Sequence, residues 1–466
     1  MVTSNQQICI DKFTGADTEE TSSLPSVMPL GVFLPALLQA LEREGVHLCV
    51  LRNYDGLPAC NSGRDVDCLI RASDLPLTIR ALKSIQGIRI VGYSERSFVA
   101  SVFLEGISSI AQSRALQVDF YLSLTWKGLV YLPADAVLQA AIAHPAGNST
   151  FLAPSPVHEA ITSLLSSLII GGSVKEKYFP QVQRTFASNR GEVIAALSPQ
   201  FGAKSAVRLA DSVIGGDRER VRGCVRALRA SLVLRNLLRR PLRSTLAVVR
   251  HYAYEVAIRY SPRTLATVCI LRPGSSERTA IIETLMPILQ STAVIVEERC
   301  SQPQLSRLHD SPGNSPAEGN SRARDSRLVS MARIVSWMVT DWLRQLNRMP
   351  TLRVTESRSY DLISDTEWHR YGIPKWVAWL VTKLLPAPDL WILLDPGTGE
   401  MQAANHECLP AQALRQLDAC RSLVKTKKQF VILEAGVPGF RVTEEVYSAI
   451  IAMLAQRADK RLKSRF

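Results

Sequence analysis

The chain has 466 residues, of which 46% are hydrophobic and 21% charged. These fractions lie near globular averages, so wholesale disorder, a collagen-like repeat and a coiled coil are excluded, and at roughly 100–200 residues per domain the length predicts two or three domains. Lys and Arg number 55 against 42 Asp and Glu, a net charge of +13, which suits polyanionic partners such as nucleotides, nucleic acid or an anionic membrane surface without choosing among them.

Nine scattered cysteines with no Cys-x-x-Cys pair argue against a disulfide framework or a zinc knuckle and make the reducing cytoplasm the expected compartment. No apolar run reaches the ~18–20 residues that span a bilayer. Residues 1–28, rich in Ser and Thr and carrying Asp17, Glu19 and Glu20, read as a flexible leader rather than a secretory signal.

From Leu30 the pattern predicts a helix to Glu44, a strand over Val46–Leu51, a loop holding Gly56, Pro58 and Gly63, a second strand from Val66 to Ile70 and an extended segment Gln117–Tyr121. This order predicts a small mixed sheet with helices, an α+β domain. Pro154 to Ile170 reads as a helix stopped at Gly171-Gly172, with further helices to about Ile214 completing a domain over 29–217.

Residues 218–263 hold twelve arginines against Glu219 and Glu255, a local charge of +10. Leu232, Val233, Leu234, Leu237, Leu238, Leu242, Leu246 and Val249 lie between them. The segment is predicted as one or two amphipathic basic helices broken near Pro241. It either lies on an anionic lipid surface, peripheral to the inner membrane face, or clamps phosphate backbones, nucleic acid being the less favoured partner. The alternative is a solvated linker whose apolar stripe packs on its own domains.

The second half alternates again: a strand at Thr267–Leu271, a Gly/Ser turn, a helix Thr279–Leu289 and a strand Ala293–Glu298. Residues 301–327 read as a disordered insertion. A helix over Leu328–Leu346 and strands at Leu352–Glu356, Leu390–Asp395 and Phe430–Leu433 follow. Strands alternating with helices predict a parallel α/β domain over 264–458, followed by a basic tail at 459–466.

Asp65-Val66-Asp67 places two carboxylates on one face of a strand, and Asp119 stands between Val118 and Phe120 on another. Carboxylates crowded in this way repel, and a hard divalent cation such as Mg2+ relieves the repulsion. Three of them around Mg2+, with a nucleoside triphosphate completing the shell, suit in-line nucleotidyl transfer; Asp119 also assists in activating an acceptor hydroxyl.

A helix, a strand, a turn, Asp-x-Asp and a later apolar-Asp-apolar strand together resemble the nucleotidyltransferase superfamily. The turn Leu51-Arg52-Asn53-Tyr54-Asp55-Gly56-Leu57-Pro58 is most similar to a bacterial subgroup whose turn reads Leu-Arg-Asn-Tyr-x-x-Leu-Pro. Pro154-Ser-Pro-Val-His158-Glu159 and Gly171-Gly-Ser-Val-Lys175-Glu-Lys177-Tyr178 also resemble it. Where the wider superfamily has Gly-Ser or Gly-Gly to hold the triphosphate, this chain has Arg52 and Asn53. The resemblance covers about residues 45–190 and implies catalytic and metal roles for Asp65, Asp67 and Asp119. It implies nucleotide contacts from Arg52, Asn53, Gly63, Lys175 and Lys177, and a place among surface-polysaccharide proteins, with a sugar or glycan-linked acceptor. His158, at a helix start, is read as a packing or capping residue.

Between the strand ending at Leu271 and the helix near Thr279 lies Arg272-Pro273-Gly274-Ser275-Ser276-Glu277-Arg278-Thr279. A working phosphate loop has Gly-x-x-x-x-Gly-Lys-Ser/Thr; here Arg272 and Glu277 replace the glycines, Arg278 replaces the Lys, and Thr279 keeps the hydroxyl. The domain looks like a thymidylate-kinase-type P-loop domain in degenerate form. Glu356-Ser357 stands where that family has Asp-Arg, and Ala404-Asn405 where its basic lid residues belong. Losing these together removes the charge stabilisation that phosphoryl transfer requires. The fold class expected is therefore α/β multidomain, and three functions stay open: a nucleotidyltransferase with an inactive kinase-like half, a non-catalytic adaptor, and a divergent nucleotide kinase.

Overall fold

The structure, a computed structural model, describes residues 30–54, 56–57, 65–106, 116–146, 149–260, 265–271, 276–289, 292, 295–300, 336, 351–356, 387–395, 417–418, 420–422, 429–434 and 439–466, with the backbone alone at 30–32, 146, 149, 259–260, 265, 276–279, 295, 297–300, 351, 356, 434 and 439–440. The leader, the 301–327 insertion, Gly63, Gly274 and Ser275 lie outside the described residues, as does the 328–346 helix except at residue 336. The chain is an α/β protein with one mixed and one parallel sheet.

The first sheet is built from β1 (Cys49–Val50), β2 (Asp65–Leu69), β3 (Ile88–Glu95), β4 (Val99–Gly106), β5 (Leu116–Tyr121), β8 (Ile142–Ala146) and β9 (Ser149–Ala153), in the order β3-β4-β5-β2-β1-β9-β8. Between its strands lie a two-stranded hairpin, β6 (Leu124–Trp126) with β7 (Leu129–Leu132), and α3 (Ala134–Gln139). Helices α1 (Leu30–Arg43) and α2 (Leu75–Ser84) cover one face. There Leu34, Leu37, Leu41, Ile79 and Leu82 pack on Val66, Cys68, Val118, Phe120, Val102 and Leu104. Each large side chain so removed from water stabilises the fold by about 1.5–3 kcal/mol. The expected strand over 46–51 is regular only at Cys49 and Val50.

A helical unit follows: α4 (Pro156–Gly171), α5 (Phe179–Ser188), α6 (Arg190–Phe201), α7 (Ala203–Ile214), α8 (Arg218–Gly223), α9 (Val225–Arg239) and α10 (Pro241–Tyr260). Ser155 caps α4 by accepting from the His158 amide, with Pro156 at the first turn where no amide hydrogen is needed. Gly172, at φ +68°, ends it in the left-handed region that glycine enters without penalty. Pro241 divides α9 from α10, as the sequence predicts. The basic segment is not wholly a linker, because Val221, Leu228 and Leu232 are buried in the same core as Leu165, Phe186, Leu197 and Leu209.

The second sheet is all parallel: β10 (Leu265–Leu271), β11 (Ile295–Cys300), β12 (Thr351–Glu356), β13 (Leu390–Asp395) and β14 (Phe430–Glu434), in the order β11-β12-β10-β13-β14. Every residue of β13 is buried, as in a strand covered on both faces. Helix α11 (Ser276–Leu289) follows β10, and α12 (Gly439–Arg465) closes the chain.

Val446, Ile450 and Leu454 of α12 pack with β10 and β13 residues and with Val91 and Phe103 of the first sheet. Ala458 and Leu462 enter the core beneath α1 and α2. Residues 459–465, expected as a basic tail, therefore continue α12: Leu462 is buried and Arg465 pairs with Glu95. Among the described residues no helix is long and apolar enough to cross a membrane.

Candidate functional site

β2 and β5 run parallel, with Asp67 opposite Asp119 and Asp65 opposite Gln117. The alternation that sends Val66, Cys68, Val118 and Phe120 into the α1/α2 core turns all three acids to the other face. There one carboxylate oxygen from each lies within 4.8 Å of the others, a cluster that could hold a metal ion. On the same face Leu69 joins the helical core and Phe103 the core of the parallel sheet, so the acids stand between two packed regions.

Asp67 is 2% exposed, whereas Asp65 and Asp119 are half-buried. Arg52 Nε donates to Asp67 Oδ2, but Asp67 Oδ1 is buried without a hydrogen-bond partner. Gln117 Nε2 donates to Asp119 Oδ1 at 3.0 Å, and Ser101, facing Asp119 from β4, also hydrogen-bonds to it. Burial, then the charge of Asp67, raises the Asp65 carboxyl above its ordinary pKa, with Arg52 and Lys175 opposing. Burial likewise raises Asp119, with Gln117 and Ser101 opposing and the neighbouring acids adding to the rise. At such separations each pair of like charges repels by roughly 3–4 kcal/mol at an effective dielectric of about 20. A cluster of three hard oxygen donors, one of them on a residue with an unpartnered buried oxygen, fits a divalent cation, which reverses the sign of this repulsion.

The turn after β1 is tied down residue by residue. Arg52 holds Asp67; Asn53, at φ +57°, accepts from Tyr178 Oη at 2.9 Å; Tyr54 Oη donates to Glu159 Oε2 at 2.7 Å. Asn is one of the few residues that tolerate this left-handed conformation. Arg52 and Lys175 also line a cavity of ≈ 150 Å³ with Tyr121, Thr125, Tyr131 and Ser167. Lys177 does not line it; its ammonium lies 5.4 Å from the centre of the Tyr178 ring. His158 is held at the start of α4 by the capping Ser155, its Nδ1 2.9 Å from Ser155 Oγ, and burial lowers its pKa.

The sequence reading brings Asp65, Asp67, Asp119, Arg52 and Lys175 into one region and misses four supporting residues: Glu159, Tyr178, Ser101 and Gln117. Glu159 and Tyr178 stand inside the two downstream motifs, in His158-Glu159-Ala160 and Lys177-Tyr178-Phe179, where local pattern does not mark them. Gln117 sits two places before Asp119, hence on its face of the strand. Ser101 has no such signal.

In the second half, Ser276, Arg278 and Thr279 fall in the first turn of α11, after the central strand β10. Beside β10, at the end of β13, Asp395 is buried and its Oδ2 accepts from Arg421 Nη2 at 2.6 Å and Nε at 3.0 Å. No protein-family model matches this chain and no curated protein matches it significantly, so its chemistry must be argued from these carboxylates, this turn and this cavity.

Proposed function

We propose that the protein is a Mg2+-dependent nucleotidyltransferase that joins a nucleotidyl group from a nucleoside triphosphate to a hydroxyl acceptor, with a nucleotidyltransferase-like first half and a kinase-like second half that no longer transfers phosphate. The observation that carries this reading is the unpartnered, buried Oδ1 of Asp67, a residue whose carboxylate clusters with those of Asp65 and Asp119. These three residues would hold Mg2+, which supplies positive charge at the reacting phosphate when bound. Arg52 keeps Asp67 oriented, and with Lys175 it gives the cavity a cationic lining that attracts a triphosphate. Asp119 accepts the proton of the acceptor hydroxyl, whose oxygen attacks the α-phosphorus as pyrophosphate leaves. A sugar or glycan-linked hydroxyl is the acceptor class to test first, on the motif resemblance.

Equilibrium binding of a non-hydrolysable nucleoside triphosphate tests the reading. Binding should require Mg2+ and weaken at least ~10-fold in the Asp65→Asn/Asp67→Asn double variant. Failure to bind with or without Mg2+ would leave a non-catalytic adaptor as the better description, a reading favoured by the engagement of Arg52 with Asp67 instead of a free position over the cavity. Against an active kinase in the second half stand Glu277 in the loop sequence and the commitment of Asp395 to Arg421.

A further inference from the structure

The α9–α10 elbow carries an apolar ridge that nothing in the described structure covers. Leu242 is 87% exposed, Leu238 74%, Leu246 67%, Val249 58% and Val256 54%. Along α10 the positions 242, 246, 249 and 256 follow the four-three-seven spacing of one helix face. The opposite face is fixed to the protein, because Ser244 and Ile258 are buried. It is also held closely. Gly128, at φ +82° in the β6–β7 turn, lies so near α10 that a Cβ there would sit 2.4 Å from the Ala247 carbonyl oxygen. The ridge is thus held outward and cannot roll inward without losing that contact.

Charge accompanies it. Arg235, Arg239, Arg240 and Arg243 line a cavity of ≈ 370 Å³ between the elbow and the β6–β7 turn. None pairs with a carboxylate among the described residues; Arg239 Nη1 donates to the Pro199 carbonyl at 2.8 Å. Of the two acids in 218–263, Glu219 is already held by Arg222.

We propose that this elbow docks the protein on an anionic lipid bilayer, with the ridge in the interfacial layer and the arginines among lipid phosphates. A helix of 20 residues is about 30 Å long, and with one apolar face and a basic flank it suits lying in the interface plane. A bilayer with anionic headgroups satisfies both halves of the surface. A nucleic-acid backbone offers the leucines nothing. A second copy would set Arg243 and Arg250 of each ridge against their equivalents. The proposal does not depend on the nucleotidyltransferase reading, and its test has no catalytic readout.

Sedimentation of the full chain with phosphatidylcholine vesicles, and with mixed phosphatidylcholine–phosphatidylglycerol vesicles, decides it. The protein should bind the mixed vesicles alone, and binding should weaken at least ~10-fold in Leu238→Glu/Leu242→Glu/Leu246→Glu and in Arg240→Glu/Arg243→Glu. These side chains are exposed, so circular dichroism and melting should be unchanged in the ridge variant. Equal binding to neutral vesicles, no binding, or an unaffected ridge variant would overturn the proposal. So would a dimer seen by light scattering without lipid that the ridge variant dissolves, or retention on duplex DNA in place of vesicles.

Discussion

Asp67 commits one carboxylate oxygen to Arg52 and leaves the other buried among like charges. Its neighbour Asp65 is therefore disfavoured in its ionised form, its pKa raised by burial and by Asp67. A carboxyl whose pKa rises on folding lets the native state hold more protons, so its contribution to stability falls as pH climbs through the folded value. Asp65→Asn should accordingly melt at a higher temperature than the parent in chelator. With Mg2+ added the order should reverse, because only the parent keeps a full ligand set; thermal unfolding in the two buffers reads both arms. Unchanged melting of the parent on Mg2+ addition would count against the cation site. At this scale the sequence was informative where chemistry is local. Two acids at i and i+2 must share a strand face, and a third between apolar residues must leave the core. It was silent on Ser101 and Glu159, whose roles depend on strand register and on a contact across 105 residues.

Elements whose pattern is satisfied by their own neighbours were legible. α1 and α4 lie within two residues of their expected bounds at each end, and the strands at 116–121, 351–356, 390–395 and 430–434 match within one residue. The β3–β4 hairpin was missed because its pattern is broken by polar residues that only distant partners make tolerable. Glu105 is 1% exposed on β4, accepting from Arg89 at 2.7 Å and from Tyr447 Oη of α12 at 2.5 Å. Glu95, at the end of β3, behaves similarly. Burial alone would raise its pKa, but hydrogen bonds from Arg465 and Tyr93 and the charge of Arg465 outweigh this and hold it below the ordinary glutamate value. A lowered folded pKa gives stability that is present above the unfolded value and lost as pH falls through the folded one. Arg465 is partly exposed, so solvent screening limits the contribution to about 0.5–1 kcal/mol. Arg465→Ala should lose that amount at neutral pH and show a shallower decline than the parent below about pH 4.5; chemical denaturation across that range would show whether it does.

For the whole molecule, the unforeseen fact is that α12 belongs to both halves. Sequence periodicity alone gives a helix a face but not the sheet that face will meet, and the basic composition of 459–466 concealed the buried Leu462. A chain ending at residue 458, the boundary expected from sequence, loses Leu462 and the Arg465–Glu95 pair. Removing a buried leucine alone typically costs about 2–5 kcal/mol. The truncated protein should therefore unfold at distinctly lower denaturant, whereas removal of Phe466 alone should change little; urea titration of both compares them directly.

This arrangement also governs the order in which the protein can be made. The strands β3 and β4 leave the ribosome more than 300 residues before the helix that covers them, so during synthesis Val91, Phe103 and the carboxylate of Glu105 must wait uncovered. The nascent first half is thus a client for whatever shields sticky surface on unfinished chains, and its maturation waits on the synthesis of α12, not on completion of its own sheet.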